Sequence, residues 1–218
     1  MAQQMAIFDL DGTLTRRDTF APFLAGYLLR HPARLWRLWR LPWVLAEFLL
    51  SGRDRGRLKA QVIQIVMGGE QRARIDAWAD AFARSRAAGK AFRPDALAML
   101  ETHRRAGDRL VLLSASPDLY VPRIGRLLGF DETICTEVRW RGDRLDGALI
   151  TPNRRGEEKS RCLQRLRERH PALPIVAYGN SASDLAHMAQ AERALLVNAA
   201  ASAKRLAATL RIPVADWQ

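Results

Sequence analysis

Near its start the chain reads Ala6-Ile7-Phe8-Asp9-Leu10-Asp11-Gly12-Thr13, an apolar run that passes directly into a polar turn. The run predicts a short buried β-strand that ends at Asp9. Two carboxylates two residues apart at a strand end can face one site, where one attacks and the other moves protons. Because they repel each other, a cation is expected between them, and oxygen-only ligands favour Mg²⁺. The alternative is a turn with two solvated aspartates.

Three further apolar runs end in small or polar residues: 109–113 before Ser114, 174–178 before Gly179-Asn180, and 194–197 before Asn198. Helical patterns separate the runs, at 95–106, 118–128, 157–169, 183–189 and 202–210. This alternation predicts a Rossmann-like α/β fold with a parallel sheet. Ligands bind beyond the carboxyl ends of such strands, so we expect Asp9, Ser114 and Asn180 to converge on one crevice. The alternative is that these are ordinary turn residues.

Residues 16–93 contain no strand pattern. The stretch is too long for a simple crossover connection between two strands. These residues predict an inserted helical cap with helices over 19–29, 33–50, 57–67 and 71–88, and residues 1–15 and 94–218 then form the catalytic core. A small β-hairpin on the core is predicted for residues 136–150, with its turn at Gly142-Asp143.

Positive charge is concentrated in the predicted cap. The whole chain has a formal net charge of +12, and residues 16–93 hold sixteen Lys and Arg against six Asp and Glu. Such a balance indicates an anionic partner: nucleic acid, a phosphorylated substrate or an acidic membrane. No nucleic-acid recognition motif accompanies the charge, so nucleic acid is not expected.

One segment of the cap, residues 31–43, combines arginine and tryptophan at helical spacing. Arg34, Arg37 and Arg40 recur every three residues. The tryptophans are Trp36, Trp39 and Trp43. Adjacent basic and aromatic stripes suit an interface with anionic lipid, and thus peripheral membrane contact. The alternative is a tryptophan stripe that faces the protein core while the arginines face solvent.

Composition excludes several classes of protein. Hydrophobic residues make up 48% of the chain and charged residues 27%, which argues against long disorder. The most apolar run, 41–50, is about half the roughly twenty residues that a membrane span needs. Cys135 and Cys162 lack zinc-site spacing and cannot form a disulfide framework. With no signal-peptide pattern at the start, a cytoplasmic location is expected, with the inner face of the membrane as a place of peripheral contact.

Four motifs resemble those of the haloacid dehalogenase superfamily of aspartate-nucleophile phosphohydrolases. The opening motif is Asp9-Leu10-Asp11-Gly12-Thr13. The second is Leu112-Leu113-Ser114-Ala115-Ser116, the third has its lysine at Lys159, and the fourth is Gly179-Asn180-Ser181-Ala182-Ser183-Asp184-Leu185. They span most of the chain in the family's order. The helical insert after the first motif resembles that of the phosphoserine-phosphatase-like branch, subfamily IB.

The resemblance implies a Mg²⁺-dependent phosphomonoester hydrolase that works through an aspartyl-phosphate. Asp9 would be the nucleophile, Asp11 the general acid and base, and Lys159 the cation that neutralises charge on Asp9 and the phosphate. Ser114 would hydrogen-bond a phosphoryl oxygen, and the residues implied to bind the substrate are Gly12, Thr13, Ser114, Ala115 and Lys159.

The resemblance also implies the metal ligands: Asp9, the backbone carbonyl of Asp11, and Asn180 and Asp184 of the fourth motif. Many family members have Asp where this chain has Asn180. An amide oxygen can still bind Mg²⁺, but it contributes no negative charge. The alternative function is therefore a catalytically impaired, basic binding protein or peripheral membrane protein on the same fold.

Two substrate classes remain open at this point. One is a small phosphorylated metabolite such as phosphoserine; the other is a phospholipid head-group phosphate such as phosphatidylglycerophosphate. A phosphatase family with similar motifs and an apolar, basic early insert acts on that lipid. Asp18 lies near the position where phosphoserine phosphatases carry an acidic residue for the substrate's amine. The alternative is that Asp18 caps a helix N-terminus.

Overall fold

The computed structural model describes residues 4–50 and 52–218, and a six-stranded sheet lies at its centre. Its strands are β1 (Met5–Phe8), β2 (Arg109–Pro117), β3 (Glu132–Thr136), β6 (Ile175–Gly179), β7 (Arg193–Val197) and β8 (Val214–Ala215). They run in the order β3-β2-β1-β6-β7-β8, and every neighbouring pair is parallel. The predicted parallel α/β fold is confirmed.

The central strand β1 is buried on both faces, as its continuous apolar sequence predicts. Met5 and Ile7 pack toward one side of the sheet, with Leu163 of the helix α7 (Glu157–Arg169). Ala6 and Phe8 belong to the larger core on the other side. Because Phe8 pairs with Leu112 of β2 and Tyr178 of β6, the ends of these three strands lie side by side.

Two strands, β3 and β8, have no counterpart in the sequence prediction. Strand β3 reads Glu-Thr-Ile-Cys-Thr and only its last two residues are buried, while β8 has two residues. Both are the outermost strands of the sheet, where one side of the backbone has no strand partner. Edge strands of this kind carry too little apolar pattern to be recognised. The remaining core helices are α5 (Pro94–Arg105), α6 (Val121–Leu127), α8 (Leu185–Met188) and α9 (Ala201–Thr209).

The cap is helical, as predicted. It contains α1 (Phe20–Arg30), a 3₁₀ helix (Pro32–Arg40), α2 (Leu41–Leu50), α3 (Arg55–Met67) and α4 (Arg72–Ala88). The single helix predicted over 33–50 is wrong, because the chain forms two elements that meet at Leu41. Pro42 explains the break: it has no N–H for a helical hydrogen bond, and proline is tolerated in the first turn of a helix but not inside one.

The two connections between cap and core pair with each other. Thr15 and Phe92 form an antiparallel bridge, and backbone hydrogen bonds of 2.9 Å flank it, from Arg16 N to Ala91 O and from Arg93 N to Leu14 O. The cap thus leaves and re-enters the core at one place.

Aromatic packing holds the cap on the core. The ring centroids of Phe23 in α1 and Phe82 in α4 lie 4.5 and 5.3 Å from that of Tyr120 in the core. The side chains of both parts therefore form one continuous apolar cluster.

The predicted hairpin is present as β4 (Val138–Arg141) and β5 (Arg144–Leu149). It extends from the core, where Val138 N donates to Asp118 Oδ1 at 3.1 Å, and it also packs against the cap. Leu145 exchanges backbone hydrogen bonds with the turn after α3, from Gly69 N at 2.8 Å and to Glu70 O at 2.9 Å. Gly147 has a φ of +90° and lies so close to Gln64 that a Cβ would sit 3.1 Å from its backbone. A larger residue there would push the hairpin away from α3.

Across residues 4–50 and 52–218, every helix is too short or too polar to traverse a lipid bilayer.

Candidate active site

Asp9 stands at the end of the central strand, at the first turn of the chain after β1. Its carboxylate accepts a hydrogen bond from Thr13 Oγ1 at 3.0 Å and from Lys159 Nζ at 2.6 Å. In the turn that follows (Leu10–Leu14), Gly12 has a φ of +86°. A Cβ on Gly12 would lie 2.1 Å from the side-chain nitrogen of Asn180. Glycine therefore allows the first and fourth motifs to touch.

Lys159, in the first turn of α7, joins two carboxylates. Its Nζ is 2.6 Å from Asp9 Oδ1 and 2.7 Å from Asp184 Oδ1, and the side chain is almost completely buried. Burial alone would lower its pKa, but the charges of Asp184 and Asp9 raise it above the ordinary value. Lys159 is therefore a permanent positive charge at the bottom of the site.

The two carboxylates that share Lys159 differ in pKa. Burial raises the pKa of Asp9 to about 7; the charge of Lys159 opposes this rise, and the charges of Asp184 and Asp11 add to it. Burial acts on Asp184 as well, but Lys159 and hydrogen bonds hold the pKa of Asp184 well below its usual range. One lysine charge thus stabilises mainly Asp184, and Asp9 is the carboxylate whose ionisation is costly.

Asp184 also organises the loop of the fourth motif. Its Oδ2 accepts hydrogen bonds from Ser181 N at 3.0 Å, Ser181 Oγ at 2.7 Å and Asn180 N at 3.3 Å. Both oxygens of Asp184 thus have protein partners, and the carboxylate fixes the loop that carries Asn180.

Asp11 is held by residues from the cap entry and from the end of β2. Its Oδ1 accepts from Thr19 N at 2.7 Å and Thr19 Oγ1 at 2.6 Å, and its Oδ2 accepts from Ser116 Oγ at 2.6 Å. Thr19 Oγ1 is also 2.8 Å from the hydroxyl of Tyr120. Burial raises the pKa of Asp11, although these hydrogen bonds oppose the rise. A carboxyl with a raised pKa and a fixed orientation suits general acid and base catalysis.

A cavity of about 760 Å³ opens over these groups. The predicted site residues on its wall are Asp9, Asp11, Gly12, Asp18, Ala115, Lys159, Asn180 and Asp184. Thr13 and Ser114 lie behind the wall and are fully buried. Thr13 orients Asp9, and Ser114 Oγ accepts a hydrogen bond from Ser116 N at 3.1 Å. Contact between these two residues and a phosphoryl group stays a prediction.

Asp18 makes the contacts of a helix cap. Its Oδ1 accepts from Phe20 N at 3.0 Å and Ala21 N at 3.1 Å, in the first turn of α1. These bonds agree with the capping alternative. Since Asp18 also lines the cavity, its contact with a substrate stays a prediction.

Sequence reasoning missed two polar side chains of the site. Ser116 lies two residues beyond the predicted Ser114, and its hydroxyl binds Asp11. Lys59 comes from α3 of the cap, and its Nζ donates to Ala115 O and Asn153 Oδ1 in the core. Burial lowers the pKa of Lys59 to about 8, although the charges of Asp11 and Asp18 act in the opposite direction. The second serine of Ser114-Ala115-Ser116 could have identified Ser116 from the sequence, whereas no local pattern singles out Lys59.

Further basic and apolar side chains line the cavity. The additional basic residues are Arg16, Arg17, Arg55 and Arg155; the apolar residues are Phe20, Phe48, Leu58 and Val62. Positive charge above a phosphate-sized site attracts anions, and apolar side chains beside it accept an apolar portion of the same ligand.

The donor set at the bottom of the cavity fits a hard divalent cation. The carboxylate of Asp9 and the amide of Asn180 line the same space, and the carbonyl of Asp11 belongs to the same turn. Oxygen donors of this kind suit Mg²⁺. Within residues 4–50 and 52–218, no group of three or more His, Cys, Asp and Glu side chains is arranged to hold a metal. The predicted set therefore depends on an amide and a backbone carbonyl.

The chain belongs to the haloacid dehalogenase-like hydrolases, whose family model matches residues 6–189. The resemblance of the four motifs is thus confirmed, and the fold is that of the phosphoserine-phosphatase-like branch. Protein CicA of Caulobacter vibrioides (strain NA1000 / CB15N) is 37% identical over 194 residues, which cover 86% of this chain and 83% of CicA.

Solved structures share the whole fold at low identity. A protein of unknown function from Bordetella pertussis Tohama I has a TM-score of 0.80 and 21% identity, over 99% of both chains. A phosphoserine phosphatase, solved as a phospho-aspartyl intermediate analogue, has a TM-score of 0.66 and 14% identity, over 98% of this chain and 93% of that one.

Proposed function

We propose that this protein is a Mg²⁺-dependent phosphomonoester hydrolase that forms an aspartyl-phosphate on Asp9. The observation that carries the proposal is the arrangement of three side chains. Asp9 ends the central strand, the permanent charge of Lys159 lies 2.6 Å from it, and Asp11 is fixed over the same cavity. The phosphoserine phosphatases among the solved structures of the same fold support this class of reaction.

In the first half of the reaction, a carboxylate oxygen of Asp9 attacks phosphorus and the bond from phosphorus to the ester oxygen breaks. Protonated Asp11 gives its proton to the leaving alcohol, and its raised pKa favours the protonated form that this step needs. The attacking carboxylate must be ionised. Lys159 stabilises that ionised form and offsets the charge that accumulates as phosphate approaches.

In the second half, Asp11 takes a proton from water, and the water oxygen attacks phosphorus. The bond to Asp9 breaks, and inorganic phosphate leaves with the carboxylate regenerated. Hydrogen bonds from Thr19 and Ser116 keep Asp11 in position for both proton transfers.

Asp9, the carbonyl of Asp11 and the amide of Asn180 would hold Mg²⁺, which neutralises phosphoryl charge when bound. We also assign Asp184 the role of positioning Lys159 and the loop of Asn180, because its Oδ1 accepts from Lys159 and its Oδ2 accepts from Ser181.

The walls of the cavity support a phospholipid head-group phosphate as substrate over phosphoserine. Four arginines and Lys59 line the cavity in addition to Lys159, and they offer cationic partners for a second phosphate. Phe48 and Leu58 offer contact to an apolar portion. A lipid such as phosphatidylglycerophosphate carries a terminal phosphate, a second phosphate and apolar chains. This substrate also agrees with a cytoplasmic protein that touches the inner face of the membrane.

The test is phosphate release from a panel of phosphomonoesters, with Mg²⁺ and with EDTA, for wild type and two variants. The panel contains phosphoserine, nucleotides, sugar phosphates and phosphatidylglycerophosphate in detergent. We expect Mg²⁺-dependent turnover that falls at least about 1,000-fold in Asp9→Asn. The exposed Asp143→Asn is the matched control and should keep full activity. Turnover that survives in Asp9→Asn would refute the mechanism, and binding of phosphorylated ligands without any turnover would favour the impaired binding protein.

A further inference from the structure

The cap exposes an apolar surface that the active site does not use. Eight of the fourteen exposed large hydrophobic side chains among the described residues lie between positions 29 and 50. Trp36, Trp39 and Trp43 are 68%, 61% and 72% exposed. We call the following set the tryptophan surface: Leu35, Trp36, Trp39, Trp43, Leu45, Leu49 and Leu50. Large apolar side chains that are exposed together in one segment of a protein mark an interaction site.

The outward position of the tryptophans is built into the cap. Arg34 and Arg37, on another side of the 3₁₀ helix, donate to carbonyls at the end of α3 and in the turn after it, with Arg37 Nη1 2.8 Å from Gly68 O. Arg34 also pairs with the buried Glu70 at 2.9 Å, and Tyr27 fixes Glu70 through a hydrogen bond of 2.6 Å. Two arginines thus face the protein and the tryptophans face away, the reverse of the alternative in which tryptophan faces the core.

Charge identifies the occupant of the tryptophan surface. Arg40 and the residues that follow α2, Arg53, Arg55 and Arg57, are exposed at its borders. The cap as a whole holds ten more basic than acidic residues. A second copy of the chain would bring like charges together, whereas a negatively charged surface would match them. Tryptophan prefers the interface between lipid and water, and arginine beside it pairs with lipid phosphates.

We propose that the tryptophan surface docks this protein on an anionic phospholipid bilayer. Docking would also determine where the active site lies relative to the bilayer. The reason is that residues of α2 belong both to the tryptophan surface and to the cavity wall. Phe48 lines the cavity, while its neighbours Leu45 and Leu49 belong to the tryptophan surface. The cavity would then lie close to the bilayer, because Phe48 and these leucines belong to one helix. Access of a lipid phosphomonoester from the bilayer rests on the proposed function, whereas the docking itself does not.

The test is co-sedimentation of the full chain with vesicles of phosphatidylcholine alone or mixed with phosphatidylglycerol. We expect binding to the anionic vesicles at low salt, and weaker binding as salt is raised. Trp36→Ser/Trp39→Ser/Trp43→Ser should weaken binding at least about 100-fold, because three interfacial side chains lose their apolar contact. The control, Leu206→Ser/Leu210→Ser, removes two exposed leucines from α9 and the turn after it, and should bind as wild type does.

Intrinsic fluorescence gives a second readout. The exposed tryptophans should shift to shorter wavelength on anionic vesicles, whereas the buried Trp78 and Trp217 should not respond. The triple variant should lose the shift. It should keep hydrolysis of a soluble phosphomonoester within about twofold of wild type, since none of the three tryptophans lines the cavity.

Two results would overturn the docking proposal. One is failure of wild type to bind anionic vesicles at low salt, or binding that the triple variant retains. The other is self-association of wild type, seen by sedimentation equilibrium and lost in the triple variant, which would make a second copy the occupant. Vesicle binding is measured independently of hydrolysis. If only the catalytic proposal is wrong, the protein should therefore bind anionic vesicles without hydrolysing phosphomonoesters.

Discussion

Replacement of Asp9, the proposed nucleophile, by Asn should make the protein inactive and more stable. Asp9 is buried, and its pKa is raised to about 7 because its charge is poorly solvated and Lys159 is shared with Asp184. In Asp9→Asn the side-chain oxygen can still accept from Lys159, and the side-chain nitrogen can donate to Thr13 Oγ1. The variant thus keeps the local hydrogen bonds and removes the buried charge.

The size of the expected gain in stability follows from the difference in the pKa of Asp9 between the folded and unfolded states. A carboxyl whose pKa rises from 3.8 to about 7 on folding stabilises the folded state below pH 3.8, and this stability is lost as pH rises toward 7. At 1.36 kcal/mol per pKa unit, ionised Asp9 costs up to about 4 kcal/mol above pH 7. We expect Asp9→Asn to gain about 2–4 kcal/mol at pH 8, and a gain about 2 kcal/mol smaller at pH 5.5.

The assay is urea unfolding followed by circular dichroism, at both pH values and in EDTA. Asp143→Asn, at an exposed aspartate, controls for the loss of one negative charge. Equal or lower stability of Asp9→Asn at pH 8, or a stability difference that does not change with pH, would refute the reasoning. Addition of Mg²⁺ should then stabilise wild type, because the cation binds only the folded state, and should have a much smaller effect on the variant.

Three further predictions concern the metal site, the cap lysine and the anchor of the tryptophan surface. Asn180→Asp should lower the Mg²⁺ concentration for half-maximal activity about tenfold, because it adds a charged ligand, and a metal titration of activity that stays unchanged would contradict this. Lys59→Met should raise KM for an anionic substrate about tenfold at pH 7. In wild type, KM should rise above pH 8 as Lys59 loses its proton, and the variant's pH profile of KM should lack this rise. Glu70→Gln should cost about 2 kcal/mol in urea unfolding, since Arg34 and Tyr27 lose a charged partner, and no loss of stability would show that the ion pair is dispensable.

Local patterns were sufficient where one continuous run of residues decides the structure. The apolar strand before Asp9, the helical cap and the hairpin turn at Gly142 each have a short-range signal. The signal fails at the edges of the sheet, where β3 and β8 bury little apolar surface. It also fails at Pro42, where the apolar pattern continues but the backbone hydrogen bonding does not.

The sequence by itself determined the class of the protein, because its four motifs each follow a strand or begin a helix and the order of these elements defines the parallel sheet. Only the tertiary structure decided which way the tryptophans face, since that depends on Arg34 reaching Glu70, thirty-six positions away. It alone brought Lys59 of the cap to Ala115 of the core. Such contacts join residues that are distant in the chain, and their energies depend on burial and charge that arise only when the whole chain has folded.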